Sequence, residues 1–258
     1  DPREFKTYED FWNAYKKQVD ALYKYSLIYN YLDTKLRAVE CFNPMVSPLF
    51  EGCMERGLDL VEGGTVPYWT HTILLAGTPN TGNCLAALKK CVFEDRTLSM
   101  DEVLNACAAD FEGYPDVLHV LEKAPKFGNG DKYVDDLVND VIKYICDKVQ
   151  SHPGYNGCKW TCAGACVTNN VPMGMVVGAT PDGRRKAAPL AEGGISPYQG
   201  TNISGLTPTF DSVAYLDHSK FTGGTVLNCK MSPAMVKDEE GKERFAQLIR
   251  NYFQMGGM

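Results

Sequence analysis

Val171-Pro172-Met173-Gly174-Met175-Val176-Val177-Gly178-Ala179-Thr180-Pro181-Asp182-Gly183-Arg184, continued by Pro189-Leu190-Ala191-Glu192-Gly193-Gly194-Ile195-Ser196-Pro197, is the stretch on which the reading of this chain turns. Short apolar runs alternate with glycine and proline, a pattern of short strands and tight turns rather than helix. Met175-Val176-Val177 has strand character, and Pro181-Asp182-Gly183 supplies a turn after it. A strand is therefore expected from Val171 to Ala179, and another over Thr222 to Asn228, where Thr225-Val226-Leu227 follows two glycines.

Upstream the periodicity changes. Phe11, Tyr15, Val19, Leu22 and Tyr29 fall near a 3.6-residue repeat, which predicts a helix over 8–40 that Asn43-Pro44 ends. Thr65 to Leu75 is β-branched or aromatic and reads as a strand. Asn83 is expected to cap a helix over 83–93. Ser99-Met100-Asp101-Glu102 has the spacing of a capping box, in which the serine accepts from the third helical N–H and the glutamate reaches back; a helix over 99–111 follows. Further helices are expected over 132–150 and 237–254. Alternating helices and strands give an α/β architecture.

Composition sets bounds on function. The 258 residues carry 26 Lys+Arg against 32 Asp+Glu, a net charge of -6, with 44% hydrophobic residues. This is an ordinary globular chain, too acidic for a nucleic-acid sheath or a polybasic membrane anchor. No run approaches the roughly 18 apolar residues of a membrane span. Ten cysteines, irregularly spaced, point to reduced thiols in a cytoplasmic protein. Cys158, Cys162 and Cys166 are spaced C-x3-C-x3-C, one residue off a radical-SAM cluster motif, and are expected to be buried thiols holding no metal. His71, His119, His152 and His218 show no metal-binding spacing, and no phosphate-binding glycine loop or nucleophile elbow is spelled anywhere. The chain starts at Asp1 and stops just past a helical pattern, so it reads as one partial domain, 1–258, cut from a longer chain at both ends.

Gly52-Cys53-Met54-Glu55 pairs a thiol with a carboxylate two residues on, which could serve radical and base chemistry on one loop. The flanking residues decide its meaning. Ser47-Pro48-Leu49-Phe50-Glu51-Gly52-Cys53-Met54-Glu55-Arg56-Gly57-Leu58-Asp59 running into Glu62-Gly63-Gly64, then Ala124-Pro125-Lys126-Phe127-Gly128-Asn129, then the opening stretch, then Ser212-Val213-Ala214-Tyr215-Leu216-Asp217-His218 and Leu227-Asn228, resemble in order the glycyl radical enzymes of the pyruvate formate-lyase superfamily. The resemblance implies part of a ten-stranded barrel, about one half-barrel, with helices around it. It implies radical lyase chemistry under anaerobic conditions. It also implies that the thiyl cysteine lies upstream of Asp1 and the radical glycine, in an R-V-x-G-[YF] string, beyond Met258. Cys53 matches a second string of the family and takes no radical role, so the chain by itself would be inactive and holds no catalytic residue. A separate radical-SAM activase with a [4Fe-4S] cluster would install the radical, and the parent would be a homo-oligomer that can carry small accessory subunits. A small molecule is the expected substrate.

Within the family the reaction is set by pocket chemistry. Many members resemble G-G-x-x-Y-N after the double glycine, where this chain has Gly63-Gly64-Thr65-Val66-Pro67-Tyr68-Trp69-Thr70-His71-Thr72-Ile73. Trp69 and Ile73 have the spacing of a tryptophan and an isoleucine that, in benzylsuccinate synthase, contact a fumarate carboxylate and line the hydrocarbon pocket. On a strand these positions share a face, roughly 13 Å apart at about 3.3 Å per residue, with His71 between them. Trp69, His71 and Ile73 are accordingly the expected substrate-binding residues. Addition of a hydrocarbon to fumarate is the first reading, arylacetate decarboxylation or a diol- or choline-type lyase the second, and a catalytically inert binding module using the same fold the third.

Overall fold

The computed structural model describes residues 1–66, 69–154 and 158–258, with the side chains of 69–71 outside the description. It divides into two compact units: residues 1–11, 74–144 and 163–258 in the first, 12–73 and 145–162 in the second. Helices dominate both.

The longest is α1 (Tyr8–Glu40), ending where the sequence places it. Most of it lies in the second unit, where the Tyr23 hydroxyl donates to the Val149 carbonyl at 3.3 Å and Lys148 pairs with Asp20 at 2.9 Å. Beyond α1 the chain knits into a loop around Asp59. Its carboxylate accepts from the Asn43 N–H at 2.6 Å, the Ser47 hydroxyl at 2.7 Å and the Val61 N–H at 3.1 Å. These bonds hold the carboxyl below its usual range against the opposing effect of burial. The short helix α2 (Cys53–Arg56) sits inside this loop. Strand β1 (Trp69–Leu74) then pairs with β2 (Lys159–Ala163).

In the first unit α3 (Thr78–Leu88) starts earlier than expected. Gly77 at φ +73° turns the chain in and Pro79 takes an early position where its missing N–H is no loss, so Asn83 lies inside the helix instead of capping it. A π-helical segment, Lys89–Glu94, continues it. Next come α4 (Met100–Ala108), capped by the expected reciprocal Ser99–Glu102 bonds, α5 (Pro115–Lys123) and α6 (Lys132–Gln150). Leu121, Val103, Ala106, Phe111 and Leu98 belong to a core that α3, α4 and α5 share. Gly82 sits against α6, and a Cβ there would fall 2.2 Å from a Val138 methyl. A mid-helix glycine costs about 1 kcal/mol relative to alanine, and here it permits the close approach of two helices.

The C-terminal part departs from expectation. β3 (Ala165–Val167) and β4 (Gly193–Gly194) form a small antiparallel pair. Residues 171–179 are not a strand: α7 (Asn170–Met175) occupies most of the segment, because Pro172 falls in a first helical turn and the Asn170 carbonyl accepts from the Leu190 N–H. Thr222 to Asn228 is not a strand either. It makes one isolated bridge, Gly164 to Thr225, flanked by 3.0 Å and 2.9 Å bonds of Gly164 with Gly224 and Val226. Two further helices, α8 (Leu206–Ala214) and α9 (Glu239–Gln254), complete the chain. The described residues thus show a mixed α/β structure with four short strands in two two-stranded sheets, without a ten-stranded barrel or half-barrel among them. Among them, too, no helix is long and apolar enough to cross a membrane.

Candidate functional site

The first candidate is the face of β1. Alternation along a strand puts Ile73 on one side and Thr72 and Leu74 on the other. Ile73 is half-buried, and Leu75, next on the same side, is buried. On the opposite side the Thr72 hydroxyl meets that of buried Thr161 on β2 at 2.6 Å. The side chains of the expected substrate-binding residues Trp69 and His71 lie outside the described residues.

The second candidate lies in the first unit, where three glycine- and proline-rich strings meet the start of α3. The Thr78 hydroxyl donates to the Gly194 carbonyl at 2.8 Å. Asn80 donates to the Asp182 carboxylate at 2.8 Å and accepts from the Ala191 N–H at 2.7 Å. Asn83 accepts from the Phe127 N–H at 2.8 Å. All three side chains are buried, so one helix end fixes the position of the strings around Phe127, Asp182 and Gly194. The sequence offered one sign of this, a Thr-Pro-Asn-x-x-Asn run of polar residues just ahead of an apolar helix.

Asp182 and Arg184 explain the Thr-Pro-Asp-Gly-Arg turn. Asp182 also accepts from the Thr180 hydroxyl at 2.6 Å and the Arg184 N–H at 3.3 Å. The Arg184 guanidinium, 1% exposed, donates to the carbonyls of Ala188 at 2.6 Å, Arg185 at 3.1 Å and Val177 at 3.3 Å, to that of Gly178, and to the Thr180 hydroxyl at 3.2 Å. A rigid planar cation with five N–H donors is what such a ring of carbonyls requires.

A cleft of about 620 Å³ opens beside this knot, lined by Lys126, Asp182, Asn129, Tyr198, Thr201 and Ser204 among others. Lys126 is buried, with its ammonium on the Leu121 and Ala124 carbonyls at 2.7 and 3.0 Å. Burial lowers its pKa, and the charge of Asp182 partly restores it. Asn129 closes the rim by donating to the Lys126 and Thr201 carbonyls at 3.0 and 2.9 Å. Gly128, at φ +97°, passes so near Pro197 that a Cβ would lie 2.3 Å from its ring. The cleft therefore holds one buried cation and one buried anion. The thiols nearby are poor nucleophiles: burial, reinforced by Asp182, pushes Cys84 well above its ordinary value and Cys107 up to about 11.

The remaining cysteine and histidine expectations are placed as follows. Cys158, Cys162 and Cys166 are all buried and outside any disulfide, but Gly164 separates β2 from β3, so they do not line one continuous strand. Cys53 is a buried free thiol whose pKa burial and the charges of Asp59 and Glu55 raise, while Glu55 is engaged in bonding the Gly52 N–H at 3.1 Å. His119 and His152 are exposed, and His218 is buried with Nε2 on the Val213 carbonyl at 2.8 Å.

Asp135 on α6 is a further buried carboxyl. One oxygen accepts from the Ser212 hydroxyl at 2.9 Å, and the other has no partner. Burial first, with Asp131, Asp136 and Asp211 adding to it, pushes its pKa up to about 7 from 3.8. The folded state therefore retains a proton that the unfolded chain releases. Stability linked to this group is greatest below about pH 4 and is lost as pH rises through about 7. Asp135→Asn is expected to stabilise the protein by about 2–4 kcal/mol at pH 8 and to change little at pH 4. Urea unfolding midpoints at the two pH values check this, and an equal gain at both would contradict the assignment.

Residues 1–174 match the family model for pyruvate formate lyase-like proteins, and residues 191–258 match that for the glycine radical domain. No R-V-x-G-[YF] string occurs within 191–258. The chain is 34% identical to trans-4-hydroxy-L-proline dehydratase of Clostridioides difficile, over 100% of this chain and 32% of that protein. It is 34% identical to isethionate sulfite-lyase of Desulfovibrio desulfuricans, over 98% of this chain and 31% of that one. The glycerol-bound B12-independent glycerol dehydratase of Clostridium butyricum superposes with a TM-score of 0.95 at 31% identity, over 99% of this chain and 32% of its own. The chain spans about a third of the length of the curated relatives it matches.

Proposed function

Because the chain belongs to the pyruvate formate-lyase-like family of glycyl radical enzymes, we propose that residues 1–258 are part of one catalytic domain of a glycyl radical lyase that eliminates a small leaving group from an anionic substrate. The observation that carries this reading is the match along the whole chain to a hydroxyproline dehydratase, with an isethionate lyase and a glycerol dehydratase fold beside it. In such chemistry a thiyl radical takes a hydrogen atom from the substrate, the substrate radical expels its neighbouring group, and the thiol returns the hydrogen atom. Electrons balance without an external oxidant. Carbon radicals react with oxygen, so turnover is anaerobic, and the glycine must be activated by a separate radical-SAM enzyme carrying a [4Fe-4S] cluster. The surrounding barrel, a homo-oligomeric parent, small accessory subunits and a cytoplasmic setting belong to the same proposal.

In this reading β1 forms a wall of the pocket. Trp69 offers an indole N–H to the acid group of the substrate, Ile73 offers apolar surface, and His71 stands between them. The i, i+4 spacing of Trp69 and Ile73 favours a second reading, addition of a hydrocarbon to fumarate, with the indole on a fumarate carboxylate. Decarboxylation of an arylacetate would use the same apolar wall. Anaerobic assays of the full-length, activated protein separate these. Release of water or sulfite from a small hydroxy acid supports the elimination reading. An adduct that consumes fumarate, or CO2 from an arylacetate, would replace it.

A further inference from the structure

We propose that Asp135 and Ser212 form a pH-sensitive latch, which holds α8 on α6 in acid and loosens it towards neutral pH. The latch lies within the first unit and joins the segment matching the pyruvate formate lyase-like model to the one matching the glycine radical domain. It goes beyond the enzymatic reading and does not depend on it. Five polar contacts tie α8 and the residues after it to 128–139. The Thr209 hydroxyl donates to the Gly128 carbonyl at 3.0 Å, the Tyr215 hydroxyl to Asp136 at 2.6 Å, and the Asp217 N–H to Asn139 at 2.9 Å. The other two meet at Ser212, whose hydroxyl accepts from the Gly130 N–H and donates to Asp135, both at 2.9 Å. Ser212 and Asp135 are buried, and the second Asp135 oxygen has no partner, whereas Asp136 is exposed to water.

A neutral carboxyl fits this seam and an ionised one does not, because a buried charge needs a partner. The charges that reach it are acidic: Asp131 and Asp136 from the start of α6, and Asp211 from α8. α8 has no other charged residue, and α3, which meets α6 at Gly82, has none. The α3 thiol Cys84 stays neutral, since burial pushes it well above its ordinary value. The cations are engaged elsewhere. Lys126 bonds the Leu121 and Ala124 carbonyls, and Lys132 lies over the Tyr215 ring at 5.3 Å. On α9, which packs against α8, Lys242, Arg244 and Arg250 pair with glutamates of α9 itself. His218, on the Val213 carbonyl, is shifted towards its neutral form by burial. Ionisation of Asp135 is relieved by admitting water, and the shorter helix yields. α6 is anchored over nineteen residues by buried Val134, Val138, Val141 and Ile142, whereas α8 has nine and is entered through Gly205 at φ +100°. The docked carboxyl has its pKa raised to about 7, and release returns it to about 4. Docking is therefore strongest below about pH 4, weakens about tenfold per unit above that, and levels off beyond about 7.

Hydrogen exchange of the full-length protein tests this, read by mass spectrometry from pH 5 to 8 and corrected for the intrinsic effect of pH on amide exchange. Protection of α8 in the native sequence is expected to fall about tenfold per unit from about pH 5 to 7 and then to level off. Protection of α4, in the same unit and capped locally by Ser99 and Glu102, should change by under about threefold. Asp135→Asn should keep α8 protected across the whole range. Asp211→Asn, a second variant in case the first misfolds, removes one like charge, so it should shrink the total fall and bring the plateau to lower pH. A flat response of α8 in the native sequence, an equal fall in α4, or an unchanged fall in whichever variant folds would overturn the proposal. Neither a radical nor turnover is read, so this result and the enzymatic reading can fail independently.

Discussion

Arg184→Met is expected to lower the stability of the protein by about 3–5 kcal/mol, because several buried acceptors lose a charged donor worth about 1.5–3 kcal/mol per bond and are left unpaired. The guanidinium serves four carbonyls and a hydroxyl, and methionine of similar length offers no donor. Arg184→Lys should recover only part of the loss, since an ammonium has three donors and no planar fork. Arg185→Met is the control. Arg185 is exposed, lies over the Phe111 ring at 5.4 Å and bonds the Asp110 carbonyl, so its loss should cost under about 1 kcal/mol. Denaturant midpoints of the three variants decide the matter. Equal midpoints for Arg184→Met and Arg185→Met would mean that the turn is held by something else.

Trp69→Phe in the activated full-length enzyme is expected to weaken binding of the anionic substrate by roughly one to two orders of magnitude. It keeps most of the apolar wall and deletes the indole N–H, and a hydrogen bond to a charged group is worth about 1.5–3 kcal/mol. Ile73→Ala should leave recognition of the acid group nearly intact and weaken the apolar part of the substrate, because only packing is lost. His71→Gln should alter both modestly. Binding of substrate analogues with and without the acid group separates the contributions. An unchanged affinity for the acid group in Trp69→Phe would remove that residue from the site.

The elements that the sequence reveals are those decided locally. The 8–40 and 132–150 helices follow from periodicity, and the Ser99–Glu102 box is a contact between residues three apart. Trp69–Leu74 is legible because β-branched and aromatic side chains favour a pleated surface whatever they pack against. The misread segments depend on distant partners. Val171 to Ala179 has strand composition, yet the chain at Asn170 is tied to Leu190, and a helix forms around Pro172. Asn83 reads as a helix cap, and the polar run from Thr78 does not say which distant residues Asn80 will bond: Asp182 and Ala191, 102 and 111 residues away. The family strings were legible as strings. Their physical reason was not: Asp59, Asp182 and Arg184 are knots that hold loops in place.

The claim that the parent is a glycyl radical enzyme is tested most directly by electron paramagnetic resonance. The full-length protein is incubated anaerobically with its radical-SAM activase, S-adenosylmethionine and a reductant, then frozen. The account predicts a carbon-centred doublet from one α-hydrogen, which collapses to a singlet when the glycine is deuterated at Cα and disappears on exposure to air. Turnover in air without an activase, or an activated sample with no such signal, would contradict it.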